Sequence, residues 1–282
     1  MNKQTTPPIF NFDVYSPSEI ALRVEDAGCR KAQLTFLPCL VLSILAGSFI
    51  SLGGLFSLLV MTGNDLGFGP GRLLGGLAFS LGLILVVVAG AELFTGNNLI
   101  VMAWADRLIT TRQLLRNWGI VFTGNLLGAL GTAVLVYGSG IIGWSGLSPD
   151  GTSPGLADGA LATTIRTVAL AKLQLGFIEA FVRGLLCNIL VCLAVWMCFA
   201  ARSLTDKVLA VLFPVTAFVA LGFEHSIANL FIIPLGYLAG ADTITFSAFS
   251  GNLLPVIAGN IIGGSIFVAL VYWLVYPRPK VR

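Results

Sequence analysis

The residues best suited to chemistry in this sequence lie in the segment GFEHSIAN, from Gly222 to Asn229. It contains the one histidine of the chain, His225, directly after Glu224. Imidazole changes its charge near neutral pH, so it suits proton transfer or the binding of a small anion. Apolar sequence flanks the segment on both sides, and ionisable groups inside such sequence are costly and usually functional. We therefore favour a substrate or proton role for His225 over simple packing.

The chain around this segment has the composition of an integral membrane protein. Of its 282 residues 56% are hydrophobic and 10% are charged, whereas soluble domains carry about 25% charged residues. A spanning helix needs about 20 mostly apolar residues. The stretches that qualify are 36–61, 75–104, 117–143, 174–200, 208–238 and 250–274. We expect an all-α protein with six transmembrane helices, the second and fifth broken by polar residues.

Lysine and arginine residues are concentrated on one predicted side of the membrane. Most of the 16 lie in the N-terminal segment, the second and fourth connections and the C-terminal tail, whereas the opposite connections hold Arg72 and Arg166. Cytoplasmic connections are enriched in these residues, so we expect both termini in the cytoplasm. Residues 1–35 lack the apolar core of a signal peptide, which favours the plasma (inner) membrane of a bacterium or archaeon. Basic residues dispersed over loops argue against nucleic-acid binding.

The N-terminal segment is expected to contain a short amphipathic helix. Ser16, Pro17 and Glu19 have the types and spacing of a helix start with a capping box. Two roles stay open for this helix: it only leads into the first span, or it gates the cytoplasmic mouth.

An internal repeat relates the two halves of the chain. The segment AGAELFTGNNLIVM around Glu92 matches LGFEHSIANLFIIP around Glu224, and GNLLGAL downstream of the first matches GNIIGGS downstream of the second. Because each copy holds three spans, the second copy must enter from the opposite face, which gives an inverted 3+3 repeat with its substrate path at the repeat interface. The predicted boundaries are 1–35 for the N-terminal segment, 36–276 for the transmembrane domain, with repeats at about 36–145 and 166–276, and 277–282 for the tail.

The two predicted helix breaks contain the other candidate site residues. A half-helix N-terminus inside the membrane carries partial positive charge and favours anions. Glu92 and Glu224 are expected mainly to cap the half-helices, and Glu179 and Arg183, four residues apart on one helix, to pair with each other. Lys172 either draws anions in or extends its ammonium group to the interface. The five cysteines form no CxxC pattern and are expected to be packing residues, so no metal or cofactor is predicted.

Three motifs resemble the formate/nitrite transporter family. VVAGAELFTG, from Val87 to Gly96, and GLLCNILVCLA, from Gly184 to Ala194, are similar to its two signatures, and GFEHSIAN resembles the histidine-bearing break of its formate-channel branch. The resemblance covers about residues 20–276. It implies an aquaporin-like fold, a homopentamer surrounded by membrane lipid, and one anion pore in each protomer, with a central chamber between two apolar constrictions.

The resemblance also implies which residues line the pore. Together with Glu224, the implied pore residues are His225, Thr95, Lys172, Asn188 and Asn229. The implied constrictions are formed by Phe79 and Phe218 on one side of the chamber, and by Leu83, Leu93 and Val191 on the other.

The expected function is transport of a small monovalent anion, with formate first and nitrite second, either passive or coupled to a proton. Hydrosulfide, acetate and lactate are alternatives in the same fold. A membrane enzyme is disfavoured because the chain has one histidine and no HExxH motif. A neutral-solute channel of the water or glycerol type is also disfavoured, because SIAN and TGNN stand where paired Asn-Pro-Ala breaks would be.

Overall fold

The computed structural model describes residues 13–143 and 159–276, which form helices and connecting turns. The first half holds α1 (Pro17–Gln33), α2 (Phe36–Met61), α3 (Phe68–Ala89), α4 (Val101–Ala105) and α5 (Thr111–Gly138). The second half holds α6 (Ala160–Leu173), α7 (Phe177–Ala200), α8 (Leu204–Ala220), α9 (Ser226–Leu238), α10 (Phe246–Gly264) and α11 (Val271–Val275). A 3₁₀ segment, Gly96–Ile100, precedes α4, and a π-helical segment, Ser265–Leu270, joins α10 to α11. The predicted tail, 277–282, lies outside the described residues.

The membrane-spanning helices agree with the predicted all-α architecture. In the described part of the chain five helical stretches are long and apolar enough to cross a membrane: α2, α3, α5, α7 and the run Phe246–Val275. The α9 helix is apolar but too short to cross alone. It follows α8 in the chain, and residues 221–225 separate the two helices.

Both predicted breaks are present, and glycines form their turns. The α3 helix stops at Ala89 and turns at Gly90 (φ +82°), and α8 stops at Ala220 and turns at Gly222 (φ +73°). Positive φ values favour glycine because it has no Cβ. The expectation that Glu224 caps the following half-helix is wrong, since His225 is the N-cap of α9 and its Nδ1 accepts the Ala228 N–H.

A helix, α6, lies in the connection between the third and fourth predicted spans. The α6 helix ends beside Lys172, and α1 ends beside Lys31. Both lysines open the same pattern, KAQLTF at Lys31 and KLQLGF at Lys172, and in each case the phenylalanine begins the next long helix. The α1 helix is therefore the counterpart of α6. Its predicted start is confirmed, because Ser16 and Glu19 form a capping box.

Close packing of small residues brings the long helices together in matching pairs, α2 with α5 and α7 with α10. Gly124 and Gly128 of α5 lie against the backbone of α2, and Gly259 and Gly263 of α10 lie against the backbone of α7. Small residues let helix backbones approach closely inside a membrane. The close approach of α5 to α2 is thus matched by that of α10 to α7 in the second repeat.

Candidate pore site

The two breaks meet at a hydrogen bond between Thr95 and His225. Their side chains, Oγ1 and Nε2, lie 3.0 Å apart although the residues are 130 positions apart in the chain. Thr95 belongs to the first break and His225 to the second. Both side chains are buried, and the His225 ring stacks on Phe218 with ring centroids 5.9 Å apart. The two residues that the resemblance assigns to the central chamber are thus joined by a direct contact between the repeats.

The hydrogen bonds of His225 define its tautomer. The Ala228 N–H donates to Nδ1 at 3.1 Å, so Nδ1 carries no hydrogen. A neutral imidazole then has its hydrogen on Nε2 and donates it to Thr95 Oγ1. The Thr95 hydroxyl has one hydrogen of its own, which stays available as a donor. The pair therefore presents a hydroxyl donor at the junction of the two half-chains.

Behind His225, Glu224 lies in a closed ring of polar contacts. Lys172 Nζ donates to Glu224 Oε1 at 2.9 Å, and Asn229 Nδ2 donates to Glu224 Oε2 at 2.6 Å. Asn229 Nδ2 also donates to Asn252 Oδ1, and Asn252 Nδ2 donates to the Lys172 carbonyl. The buried carboxylate is thus neutralised by one ammonium group. The same ring ties the end of α6 to α9 and α10.

The first repeat contains the same ring, formed by Lys31, Glu92, Asn97 and Asn117. Lys31 Nζ donates to Glu92 Oε1 at 2.7 Å, and Asn97 Nδ2 donates to Glu92 Oε2 at 2.7 Å. Asn97 Nδ2 also reaches Asn117 Oδ1, and Asn117 Nδ2 donates to the Lys31 carbonyl. The sequence reading missed Lys31, which it assigned to the cytoplasmic segment. The shared KxQLxF pattern is the signal that identifies it.

Two asparagines hold the backbone of the breaks. Asn125 Nδ2 donates to the carbonyls of Ser43 and Glu92, and its Oδ1 accepts the Phe94 N–H. Asn260 does the same in the second repeat: its Nδ2 donates to the carbonyls of Gly184 and Glu224, and its Oδ1 accepts the Ser226 N–H. Backbone groups freed by a broken helix must be paired inside the protein. These asparagines were not predicted as site residues, although they lie in the repeated GNLLGAL and GNIIGGS motifs.

The side chain of Asn188 binds residues of the first break. Its Nδ2 lies within hydrogen-bond distance of the Thr95 carbonyl (3.2 Å), Asn98 Oδ1 (2.9 Å) and the Asn260 carbonyl (2.6 Å). The Oδ1 atoms of Asn188 and Asn229 are buried and accept no hydrogen bond from the described residues. Both amides therefore position the breaks, and each keeps one buried acceptor without a partner among the described residues.

Two cavities approach this contact from opposite faces. The Lys172 cavity, about 210 Å³, is lined by Arg72, Phe79, Lys172, Arg183, Phe218, Glu224 and His225 among others. The Lys31 cavity, about 480 Å³, is lined by Arg23, Arg30, Lys31, Leu83, Glu92, Leu93 and Lys207 among others. Phe79 and Phe218 meet edge to face with centroids 5.7 Å apart. Val191 is buried and lies on neither lining.

The predicted pair of Glu179 and Arg183 is present. Arg183 Nη2 donates to Glu179 Oε1, and both side chains are partly exposed. Arg183 also donates from Nη1 to the Gly222 carbonyl at 3.4 Å. Arg183 therefore has a second contact besides the ion pair, because it also binds the carbonyl of Gly222 just after α8.

Comparison with known proteins agrees with the resemblance to the formate/nitrite transporter family. The model of the family described as Formate/nitrite transporter matches residues 18–274. The Escherichia coli (strain K12) formate channel FocA is 42% identical to this chain over 286 aligned residues, which cover 95% of this chain and 96% of FocA.

Two solved structures have a similar fold. One, described as a pentameric formate channel with formate bound, has a TM-score of 0.73 and 39% identity, and the match covers 86% of this chain and 97% of that one. The other, described as an FNT family ion channel, has a TM-score of 0.81 and 29% identity, and the match covers 92% of this chain and 100% of that one. The inverted repeat, the broken helices and these matches agree, and the chain belongs to the formate/nitrite transporter family.

Proposed function

We propose that this protein conducts a small monovalent anion, formate first and nitrite second, together with a proton. The observation that carries the proposal is the Thr95–His225 hydrogen bond, which lies where two broken helices meet between two cavities lined by cations. The similarity to formate channels supports formate as the first substrate to test. Acetate, lactate and hydrosulfide are the other anions to compare.

In this mechanism each cavity concentrates the anion before it enters the apolar section. Cavities with positive charge and low-dielectric walls raise the local concentration of anions. Phe79 and Phe218 then narrow the path on one face, and Leu83 and Leu93 narrow it on the other. A bare charge crosses such apolar walls poorly, so the permeant leaves the Thr95–His225 pair through the second constriction as the neutral acid.

The Thr95–His225 pair is the point where charge is neutralised. Because His225 Nε2–H donates to Thr95 Oγ1, the Thr95 hydroxyl hydrogen is turned away from the ring and can donate to an oxygen of the anion. The anion is held there while it takes up one proton that originates in the water of the cavity. One formate and one proton then leave together, and neither His225 nor Thr95 changes its charge over the cycle.

The protein is proposed to work as a homopentamer in the plasma membrane, with the Lys31 cavity facing the cytoplasm. The pentameric assembly of a similar solved structure supports the first point. The distribution of lysine and arginine supports the orientation.

Proteoliposome uptake tests the proposed function. Purified protein is reconstituted, and initial uptake of labelled formate and nitrite is compared from pH 5 to pH 8 against protein-free vesicles. We expect formate uptake above nitrite uptake, a rise as the pH falls, and acidification of the vesicle interior during uptake. Formate uptake equal to that of protein-free vesicles would refute formate transport, and uptake without acidification would refute co-transport of a proton.

A further inference from the structure

Two arginines meet at the broken end of α8, on the wall of the Lys172 cavity. Arg72 donates from Nε to the Ala220 carbonyl at 2.5 Å and from Nη2 to the Val219 carbonyl at 2.9 Å. Arg183 donates from Nη1 to the Gly222 carbonyl at 3.4 Å. Carbonyls at a helix C-terminus attract cations, and this explains how each guanidinium is held. It does not explain why two of them converge.

Gly222 shows how close the two arginines are. A Cβ at Gly222 would lie 2.9 Å from Arg72 Nη2 and 3.8 Å from Arg183 Nη1. Two positive charges therefore flank one point on the cavity wall. Like charges at this distance repel each other, most strongly where water is scarce. An anion bound between them would relieve that repulsion.

The charges around the cavity leave one positive charge in excess, that of Arg72. Among the described residues that line it, three are cations, Arg72, Lys172 and Arg183, and one is a carboxylate, Glu224. Glu224 is already paired with Lys172 at 2.9 Å. Glu179 pairs with Arg183 but does not line the cavity. Arg72 makes its hydrogen bonds to neutral carbonyls, so its charge is available to a ligand.

From this geometry we infer that Arg72 and Arg183 form an entry site for a small planar carboxylate or oxyanion, separate from Lys172 and from the Thr95–His225 contact. Guanidinium groups present several N–H donors in one plane and match carboxylate oxygens better than an ammonium group does. The contacts described above use two nitrogens on each arginine, which leaves further N–H donors for a ligand. The inference rests on the proposed transport of formate and specifies where formate first binds on this face.

A charge-removing variant with a matched control tests the inference. Formate uptake into proteoliposomes is measured as a function of formate concentration for Arg183→Gln, Arg72→Gln and Arg166→Gln. Arg166 belongs to α6 and does not line the cavity, so Arg166→Gln removes the same charge without touching the site. We expect the first two changes to raise the half-saturating concentration on the order of tenfold, with the maximal rate within about twofold and a weaker dependence on ionic strength. Arg166→Gln should match the wild type.

Protection of the arginines from chemical modification gives a second readout. It depends neither on transport nor on whether the Arg72→Gln variant folds. Wild-type protein is treated with an arginine-directed dicarbonyl reagent in sodium formate or in sodium chloride of equal ionic strength, and each modified arginine is quantified by mass spectrometry. We expect formate to slow modification of Arg183 several-fold more than that of Arg166. Equal modification of Arg183 in the two salts would overturn the entry site, and so would an unchanged half-saturating concentration in both variants. In either case, formate uptake by the wild-type protein would still support formate transport. Absence of wild-type uptake would overturn both.

Discussion

At the scale of single residues, both ring nitrogens of His225 are engaged in hydrogen bonds. Its Nδ1 caps α9 and its Nε2 orients Thr95. A protonated imidazole would place a hydrogen on Nδ1, where the Ala228 N–H already donates. The architecture therefore favours the neutral ring, and in the proposed mechanism the hydroxyl of Thr95 makes the contact with the permeant.

Replacing His225 with alanine is expected to lower formate uptake about tenfold or more, because the Thr95 hydroxyl loses the buried hydrogen bond that orients it. The rise of uptake at acidic pH should also flatten, because the anion is no longer held while it takes up a proton. Initial uptake rates from pH 5 to pH 8 provide the measurement. A variant with wild-type rates and an unchanged pH profile would contradict the proposed proton step.

Thr95 offers a matched pair of substitutions. Thr95→Ser keeps the hydroxyl and should keep most of the formate uptake, whereas Thr95→Val keeps the shape, removes the hydroxyl, and should reduce uptake by a similar factor to His225→Ala. Uptake by the three proteins at one pH checks this. Equal rates for the serine and valine variants would show that the hydroxyl has no part in conduction.

At the scale of elements, the breaks depend on amides supplied by neighbouring helices. Asn125 pairs three backbone groups of the first break and of α2. Asn125→Ala would leave these three groups buried and unpaired, which lowers the free energy of unfolding by about 1–3 kcal/mol for each group. We expect a clearly lower unfolding temperature in detergent, while Asn64→Ala, at an accessible turn, should change it little. Equal unfolding temperatures for the two variants would argue against a role of Asn125 in stabilising the first break.

Helix contact provides a second prediction at this scale. A Cβ at Gly128 would overlap the Ile44 carbonyl of α2, whereas a Cβ at Gly131, one turn along α5, would meet open space. Gly128→Ala should therefore push α5 away from α2, lower the unfolding temperature and reduce formate uptake. Gly131→Ala should retain both properties. The opposite ranking would contradict the close packing of these helices.

At the scale of the whole molecule, the repeat makes the two faces similar in their chemistry but unequal in detail. Each face has a Lys–Glu pair at the end of a short helix, Lys31 with Glu92 and Lys172 with Glu224. Lys31 also donates to Asn97 Oδ1, whereas the equivalent Asn229 Oδ1 is buried without a partner among the described residues. The N-terminal helix α1 is thus part of the first half-site. Its further role as a gate stays a hypothesis.

Assembly gives the prediction for the intact protein. Large apolar side chains are exposed along several long helices, such as Leu135, Phe213 and Leu274, and these faces must contact lipid or another copy of the chain. We expect purified protein to contain five copies of the 29.7 kDa chain. Native mass spectrometry after release from detergent measures this number directly. A monomer that still conducts formate would contradict the pentamer as the working unit.

The sequence by itself determined the membrane class, the inverted repeat, both breaks and the central histidine. These features depend on local composition and on short patterns repeated in the chain, which need no knowledge of contacts. The tertiary structure decided which charges are paired, because Lys31 reaches Glu92, Lys172 reaches Glu224 and Arg72 reaches the end of α8 only after helices distant in sequence have packed. It also decided that Thr95 and His225 touch. An ionisable residue can be located by sequence, but its partner and hence its role depend on a distance that only the fold fixes.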